Sequence, residues 1–339
     1  MEKILVIQTA FIGDAILTLP MLQKLKELFS SVEIDVVAIP STSAIFSLSP
    51  AVNNVLVLDK KGEHKKLRRF FSFCCMVKKN KYTRIYSPHR SLRSSLLVLL
   101  SGVKETYGFS KNSLRQVYKY LVKYNPSNHE VQRNLELIGV SGESWRIQPK
   151  LNITDAVCDK ISKYISDANI SRKIIAVAPG SVWATKKYPS EYYVEVIEQL
   201  IKKDFFVILT GGIEDKDICN SIRNKVSSPH VLSAAGDLSL IESVELLKRC
   251  ALVICNDSAP THMAMCAGIK ALTIYCSTVA AFGFYPYSKG SQWLSYDELD
   301  CKPCGIHGYR ECPVKTFDCG FKLKSAEVIK KVEEMLDDE

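Results

Sequence analysis

The sequence has no apolar run near the roughly 18 residues that a membrane span requires; its longest candidate, around 96–100, is short and lies beside Arg90 and Arg93. It has no basic-then-apolar leader pattern, because an apolar strand-like run begins directly after Lys3. No Walker A spacing, GxxxxGK[ST], is present, which disfavours ordinary P-loop chemistry. No RNP, KH or zinc-finger pattern is present either, which argues against nucleic acid as the partner. Internal repeats and low-complexity segments are missing as well. Acidic residues are scarce in the first part: residues 1–150 hold 11 Asp/Glu against 23 Lys/Arg, whereas 151–339 hold 25 against 22. The net charge of +9 therefore comes entirely from the first half, chiefly from residues 60–81 and from Arg84, Arg90 and Arg93. Such a field favours an anionic partner, although any single lysine could equally be solvated.

What is there is ordinary in bulk: 339 residues, 47% hydrophobic and 24% charged, as in a soluble chain of two common-sized domains. Twelve cysteines without a secretion signal point to a reducing compartment, and the protein is expected in the cytoplasm. Strand-like runs at 4–7, 34–38, 55–58 and 84–87 alternate with helical patterns at 16–29 and 92–100. A second series follows, with strands at 174–178, 205–210, 231–233, 252–255 and 271–275 between helices at 191–203, 215–226, 241–249 and 261–267. Apolar strands alternating with helices imply an α/β fold with parallel sheets covered on both faces. The expected architecture is two Rossmann-like domains, 1–160 and 161–339, facing a central cleft. The closing helix, 326–336, could pack back on the first domain.

The stretch IIAVAPGSVWATKKYP, 174–189, carries the most chemistry. A buried strand ends in Pro179, Gly180 and Ser181, and a short loop then presents Thr185, Lys186 and Lys187. Small residues admit backbone N–H groups, hydroxyls donate and ammonium groups neutralise, so the loop suits a phosphate; two solvated lysines on a plain connection are the alternative. Later strand ends are similar. Gly211, Gly212 and Glu214, with Asp215 and Asp217, suit a ribose diol, and Ala234 to Asp237 could take a flat base. Asp257, Ser258, Ala259, Thr261 and His262 open a helix whose N-terminus is an anion site. Asp257 or Ser258 could instead be a plain helix cap, and His262 a packed core residue.

Four ordered segments, IQTAFIGDAILTLPML (7–22), APGSVWATKKYP (178–189), LTGG (209–212) and NDSAPTHMAMCAG (256–268), resemble the ADP-heptose:lipopolysaccharide heptosyltransferases, family 9 glycosyltransferases, most closely the heptosyltransferase II branch. The resemblance covers essentially the whole chain. It implies a GT-B fold with the acceptor on the first domain and the nucleotide sugar on the second. It implies an inverting transfer of heptose from ADP-heptose to the anionic lipopolysaccharide inner core, with no metal or cofactor in the chemistry, at the cytoplasmic face of the inner membrane. In place of the family's usual glycine after Asp-Ser, this chain has Ala259-Pro260, which stiffens the diphosphate loop. A related transferase using another nucleotide sugar or glycan, and a non-enzymatic nucleotide- or RNA-associated protein, are the competing readings.

Under the resemblance Asp14 is the base, since a direct displacement needs one group to take the acceptor's hydroxyl proton; a helix-capping carboxylate is the alternative. Donor-side residues are Ser181, Thr185, Lys186, Gly211, Gly212, Glu214, Asp257, Ser258, Ala259, Thr261 and His262. The acceptor side takes Gly13, His89, Arg90 and Arg93, with the two arginines expected three apart on one helix face. Near the end, Cys301, Cys304, Cys312 and Cys319 are spaced C-x2-C-x7-C-x6-C, with His307 among them. A structural zinc or iron–sulfur site, packed free thiols and disulfides all fit that spacing. Nothing in the sequence ties the cluster to the transfer chemistry.

Overall fold

The computed structural model describes residues 2–29 and 31–337. The chain divides into two compact units, Met1–Asn152 and Ile153–Glu339. The first unit's strands are β1 (Lys3–Ile7), β2 (Glu33–Ala38), β3 (Asn54–Val57), β4 (Arg84–Ser87), β5 (Glu105–Phe109) and β6 (Tyr120–Val122). Its helices are α1 (Ile12–Leu28), α2 (Pro40–Ser47), α3 (Leu67–Lys79), α4 (Leu92–Ser101) and α5 (Glu130–Leu137). The second unit holds α6 (Asp155–Asp167), β7 (Ile174–Ala178), α7 (Ser190–Lys202), β8 (Phe206–Leu209), α8 (Lys216–Val226) and β9 (Val231–Ser233). It continues with α9 (Leu240–Lys248), β10 (Cys250–Asn256), α10 (Ala259–Ala267), β11 (Lys270–Tyr275), β12 (Gln292–Ser295), the short α11 (Asp318–Phe321) and α12 (Ser325–Asp337).

All strands pair in parallel. The first sheet runs β3-β2-β1-β4-β5-β6 and the second β12-β11-β10-β7-β8-β9. Counted from its own first strand, the second sheet has the same order as the first, 3-2-1-4-5-6, the doubly wound Rossmann arrangement. The central strands read KILVI and IIAVA and are almost wholly buried, because helices cover both faces. The helices show the matching period. Tyr193, Val196, Ile197 and Leu200 make the buried stripe of α7. Each fully buried Val, Ile or Leu in these faces contributes about 1.5–3 kcal/mol of transfer free energy.

The dividing point lies after Asn152, against the expected 160, because α6 packs on α9 and so belongs with the second sheet. The closing helix packs on α7, with Val328, Val332 and Met335 in the second unit's core. And α1 begins at Ile12, not 16, so Gly13 and Asp14 lie within its first turn.

In a sheet of this order the chain leaves to opposite sides from its first and fourth strands, and the crevice between them opens at their C-terminal ends. These switch points are β1/β4 in the first unit and β7/β10 in the second. Ile7 and Ser87 end the first pair of strands, and Ala178 and Asn256 the second.

Candidate functional site

At the second switch point Asn256 ties the two strand ends together. Its Nδ2 donates to the carbonyls of Pro179 (2.8 Å) and Gly180 (3.3 Å), and its Oδ1 accepts from Tyr188 N and Tyr193 Oη, both at 3.0 Å. Asn256 is fully buried, so this four-bond clamp fixes the phosphate-like loop against the start of α10. Lys186, at the end of the 3-10 turn Ala184–Lys186, reaches across to Asp257 with Nζ–Oδ2 at 2.6 Å. Asp257 Oδ2 also accepts from Thr278 Oγ1 at 2.7 Å. Ser258 precedes the first turn of α10 in extended conformation and donates to Gly180 O at 3.4 Å. Pro260 has no N–H and the Thr261 amide donates to Ser258 O at 3.2 Å, so the first turn offers the amide of Ala259.

His262 lies buried on α10, and burial holds its imidazole down at about pKa 4, with Asp257 pulling upward and Lys186 downward. Its Nδ1 has no hydrogen-bond partner among the described residues, nor has Ser277 Oγ after β11. A neutral ring with an unspent nitrogen, beside an ion pair and a helix N-terminus, is equipped to meet a polar ligand.

The first switch point carries a second set. Thr9 Oγ1 and Ser94 Oγ both meet His89 Nδ1, at 2.8 and 3.0 Å. Burial, then Lys60 and Arg90, hold His89 at about pKa 4. Lys60 turns inward and donates to Thr9 O at 2.6 Å, while Arg93 donates to Lys60 O at 3.1 Å and lies over the Phe70 ring. Arg90 does not share a helix face with Arg93. It precedes the N-cap Ser91 and stacks on Tyr124, 4.1 Å from guanidinium carbon to ring centre. Asp14 occupies the third position of α1 and its Oδ2 accepts from Phe11 N at 3.3 Å. Its charge reaches Glu130 and Tyr124, neither of which stood out in the sequence.

A family model described as Glycosyltransferase family 9 (heptosyltransferase) matches residues 70–314. The chain belongs to glycosyltransferase family 9. It is 23% identical over 345 residues to lipooligosaccharide heptosyltransferase 2 of Campylobacter jejuni subsp. jejuni serotype O:6, covering 98% of this chain and 99% of that protein. Among solved structures it superimposes on the family 9 glycosyl transferase of Veillonella parvula DSM 2008 with a TM-score of 0.89, at 19% identity over 100% of this chain and 98% of that one. The E. coli ADP-heptose lps heptosyltransferase II gives 0.80, also at 19% identity, covering 98% of each chain. The fold is thus that of the GT-B heptosyltransferases.

The other expected donor-side residues have the following surroundings. Glu214 is exposed. The carboxylate that fills the strand-end space is Asp215, whose Oδ2 accepts from Gly212 N at 3.0 Å; a Cβ on Gly180 would lie 2.0 Å from its Oδ1, and one on Gly211 2.7 Å from its Cβ. Glycine at both positions makes room for that side chain. Ala234 and Ala235 are buried, so the loop after β9 presents Gly236 and Asp237 rather than two methyls. Thr185 is buried and its hydroxyl is spent on Tyr309, donating to the carbonyl at 3.2 Å and accepting from the amide at 2.8 Å. Ser181 Oγ accepts from Trp183 N at 3.4 Å.

The Tyr309 contact also corrects the isolation of the cysteine segment. Thr185 N donates to Tyr309 O, Ser277 N to Thr185 O, and Cys304 N to Ser277 O, so the 301–312 loop braces the Lys186 turn. All four thiols are free. Burial, then the neighbouring cysteines, push the Cys304 thiol up, and the Cys319 thiol, held up mainly by burial, stands at about 11. Among the described residues no group of three or more His, Cys, Asp or Glu is arranged to hold a metal.

Proposed function

We propose that the protein transfers heptose from ADP-heptose to an anionic lipopolysaccharide inner-core acceptor, with inversion at the anomeric carbon. The observation that carries this reading is the pair of switch points. One holds a half-buried carboxylate, Asp14, within electrostatic reach of Tyr124 and Glu130, which Arg90 and Arg133 also engage. The other holds the Lys186–Asp257 pair against the N-terminus of α10. Family membership and the ADP-heptose named for the E. coli structure support the donor.

In this account Asp14 takes the proton of the acceptor hydroxyl as that oxygen attacks the anomeric carbon and the bond to ADP breaks. The leaving diphosphate gains charge that Lys186, the amide of Ala259 and His262 meet without reorganisation. Thr185, Asn256 and the 309 backbone hold those groups in place. Gly211, Gly212 and Asp215 face the nucleoside end, while Ser181 and Ser258 flank the diphosphate. On the acceptor side Gly13, His89, Arg90 and Arg93 supply a basic rim for anionic sugars. No described helix is long and apolar enough to cross a membrane. The basic helix α3, with Leu67 and Phe71 exposed among Lys65, Lys66, Arg68 and Arg69, suits the anionic surface of the inner membrane at its cytoplasmic face. Incubation with ADP-heptose and a truncated lipopolysaccharide should release ADP only when both are present. Release from another nucleotide sugar alone would replace this donor assignment.

A further inference from the structure

The first unit buries an acidic group that the transfer chemistry above does not use. Glu130 opens α5 and is almost fully buried, paired with Arg133 one turn later at 2.7 Å. Arg133, only 1% exposed, also donates to Tyr124 Oη (2.9 Å), Asn125 O (2.9 Å) and Pro126 O (2.7 Å). The helix lies against α1, and Asn134, one turn beyond Glu130, donates to Leu17 O at 3.1 Å, just past Asp14. The first turns of α5 are thereby held beside the first turns of α1, where Asp14 sits. Tyr124 closes the arrangement between the guanidiniums of Arg133 and Arg90, at 4.7 and 4.1 Å from its ring centre, with the Lys111 ammonium at 5.6 Å.

We propose that Glu130 is a positioning residue for the base: its carboxylate, locked by Arg133, raises the basicity of Asp14 and so sets the acid limb of the pH–rate profile. This rests on the assignment of Asp14 as base. The Asp14 charge acts on Glu130 of α5 and on Tyr124 after β6, and the same two groups feel Arg133 of α5 and Arg90 from the β4–α4 connection. Burial and the Asp14 carboxylate raise the proton affinity of Glu130, against the pull of Arg133 and Arg90. Such an interaction is mutual, each carboxylate charge favouring the protonated form of the other. A base that binds its proton more tightly at rest also takes it more readily from the acceptor hydroxyl. The signs therefore agree: removing the Glu130 charge should make Asp14 a weaker base.

The test compares Glu130→Gln with Glu130→Asp. With Glu130→Gln, the acid limb of kcat/KM should move to lower pH by about 0.5–1 unit and the plateau should fall several-fold. Glu130→Asp keeps the charge and should keep the limb near its original place. An unmoved limb in Glu130→Gln, or an equal shift in both variants, overturns the proposal. Because Glu130→Gln leaves a buried arginine without its counter-charge and could fail to fold, a second measurement stands apart from activity. Carboxyl-carbon NMR titration of Asp14→Asn against the unaltered protein should show the Glu130 midpoint falling when the Asp14 charge is removed. An unchanged midpoint overturns the coupling, whereas coupling in a protein that releases no ADP overturns only the assigned reaction.

Discussion

Lys186 and Asp257 meet across the switch point of the second sheet, Nζ to Oδ2 at 2.6 Å, both side chains largely withdrawn from solvent. The pair orients the ammonium before any ligand arrives, and Thr278 Oγ1 donates to the same carboxylate oxygen. Lys186→Ala should weaken ADP binding and slow transfer together, since the charge serves ground and transition states alike. A lost charge-assisted contact to phosphate costs about 1.5–3 kcal/mol. Calorimetry with ADP checks this, and unchanged affinity would remove Lys186 from the donor site.

The cysteine-bearing loop should matter through its backbone. Gly308 has φ +78°, and a Cβ there would stand 2.9 Å from Thr185 Oγ1, 3.0 Å from Ser277 Oγ and 3.3 Å from Lys186 Cγ. Gly308→Ala should therefore displace the Lys186 turn and weaken ADP binding by about 1–3 kcal/mol, with the acceptor KM little changed. Wild-type ADP affinity would show that the brace is not transmitted.

Arg90 and Arg93 should part company. Arg90 is exposed and stacked on Tyr124, so Arg90→Ala should raise the acceptor KM and spare ADP affinity. Arg93 holds the Lys60 carbonyl and covers Phe70, so Arg93→Ala should also lower the melting temperature, by a loss of about 1 kcal/mol. Identical kinetic and thermal profiles would contradict this division.

Two histidines should make the protein acid-sensitive. His89 and His262 sit at about pKa 4 when folded, below the ordinary value near 6.5. Between those values the unfolded chain binds more protons, so the stabilisation is complete above about pH 6.5 and is lost as pH falls toward 4. The window is worth about 1–3 kcal/mol for each ring. Replacing both with glutamine should flatten the fall of the urea midpoint between pH 6.5 and 4; an unaltered slope would assign the acid sensitivity to other groups.

The central strands and the helices beside them were legible because burial on both faces writes them as unbroken apolar runs, as in β1, β7 and β10. Strands β5, β6 and β12 were not. β5 (ETYGF) mixes polar residues and a glycine into its run, and β6 (YLV) and β12 (QWLS) are short and partly exposed. The loop motifs at 178–189 and 256–268 fall at the C-terminal ends of β7 and β10, the places where the second sheet reverses. What sequence could not carry was partnership across distance. Thr185 reads as a ligand hydroxyl until Tyr309 occupies it, and Glu214 outranks Asp215 until Gly180 and Gly211 make room for the latter. The opposite charges of Glu130 and Arg133, three apart in a polar stretch, were the one signal that α5 held a buried pair.

The central claim is that Asp14 is the base of an acceptor-dependent transfer. The most direct measurement is ADP release from ADP-heptose and truncated lipopolysaccharide by Asp14→Asn, with ADP affinity and melting temperature taken on the same preparation. Asparagine preserves the size of the side chain and an oxygen for the Phe11 amide, so fold and ADP binding should persist. Turnover should fall by about 10²–10⁴-fold. Near-normal turnover in a folded, ADP-binding Asp14→Asn protein would place the base elsewhere and contradict the account.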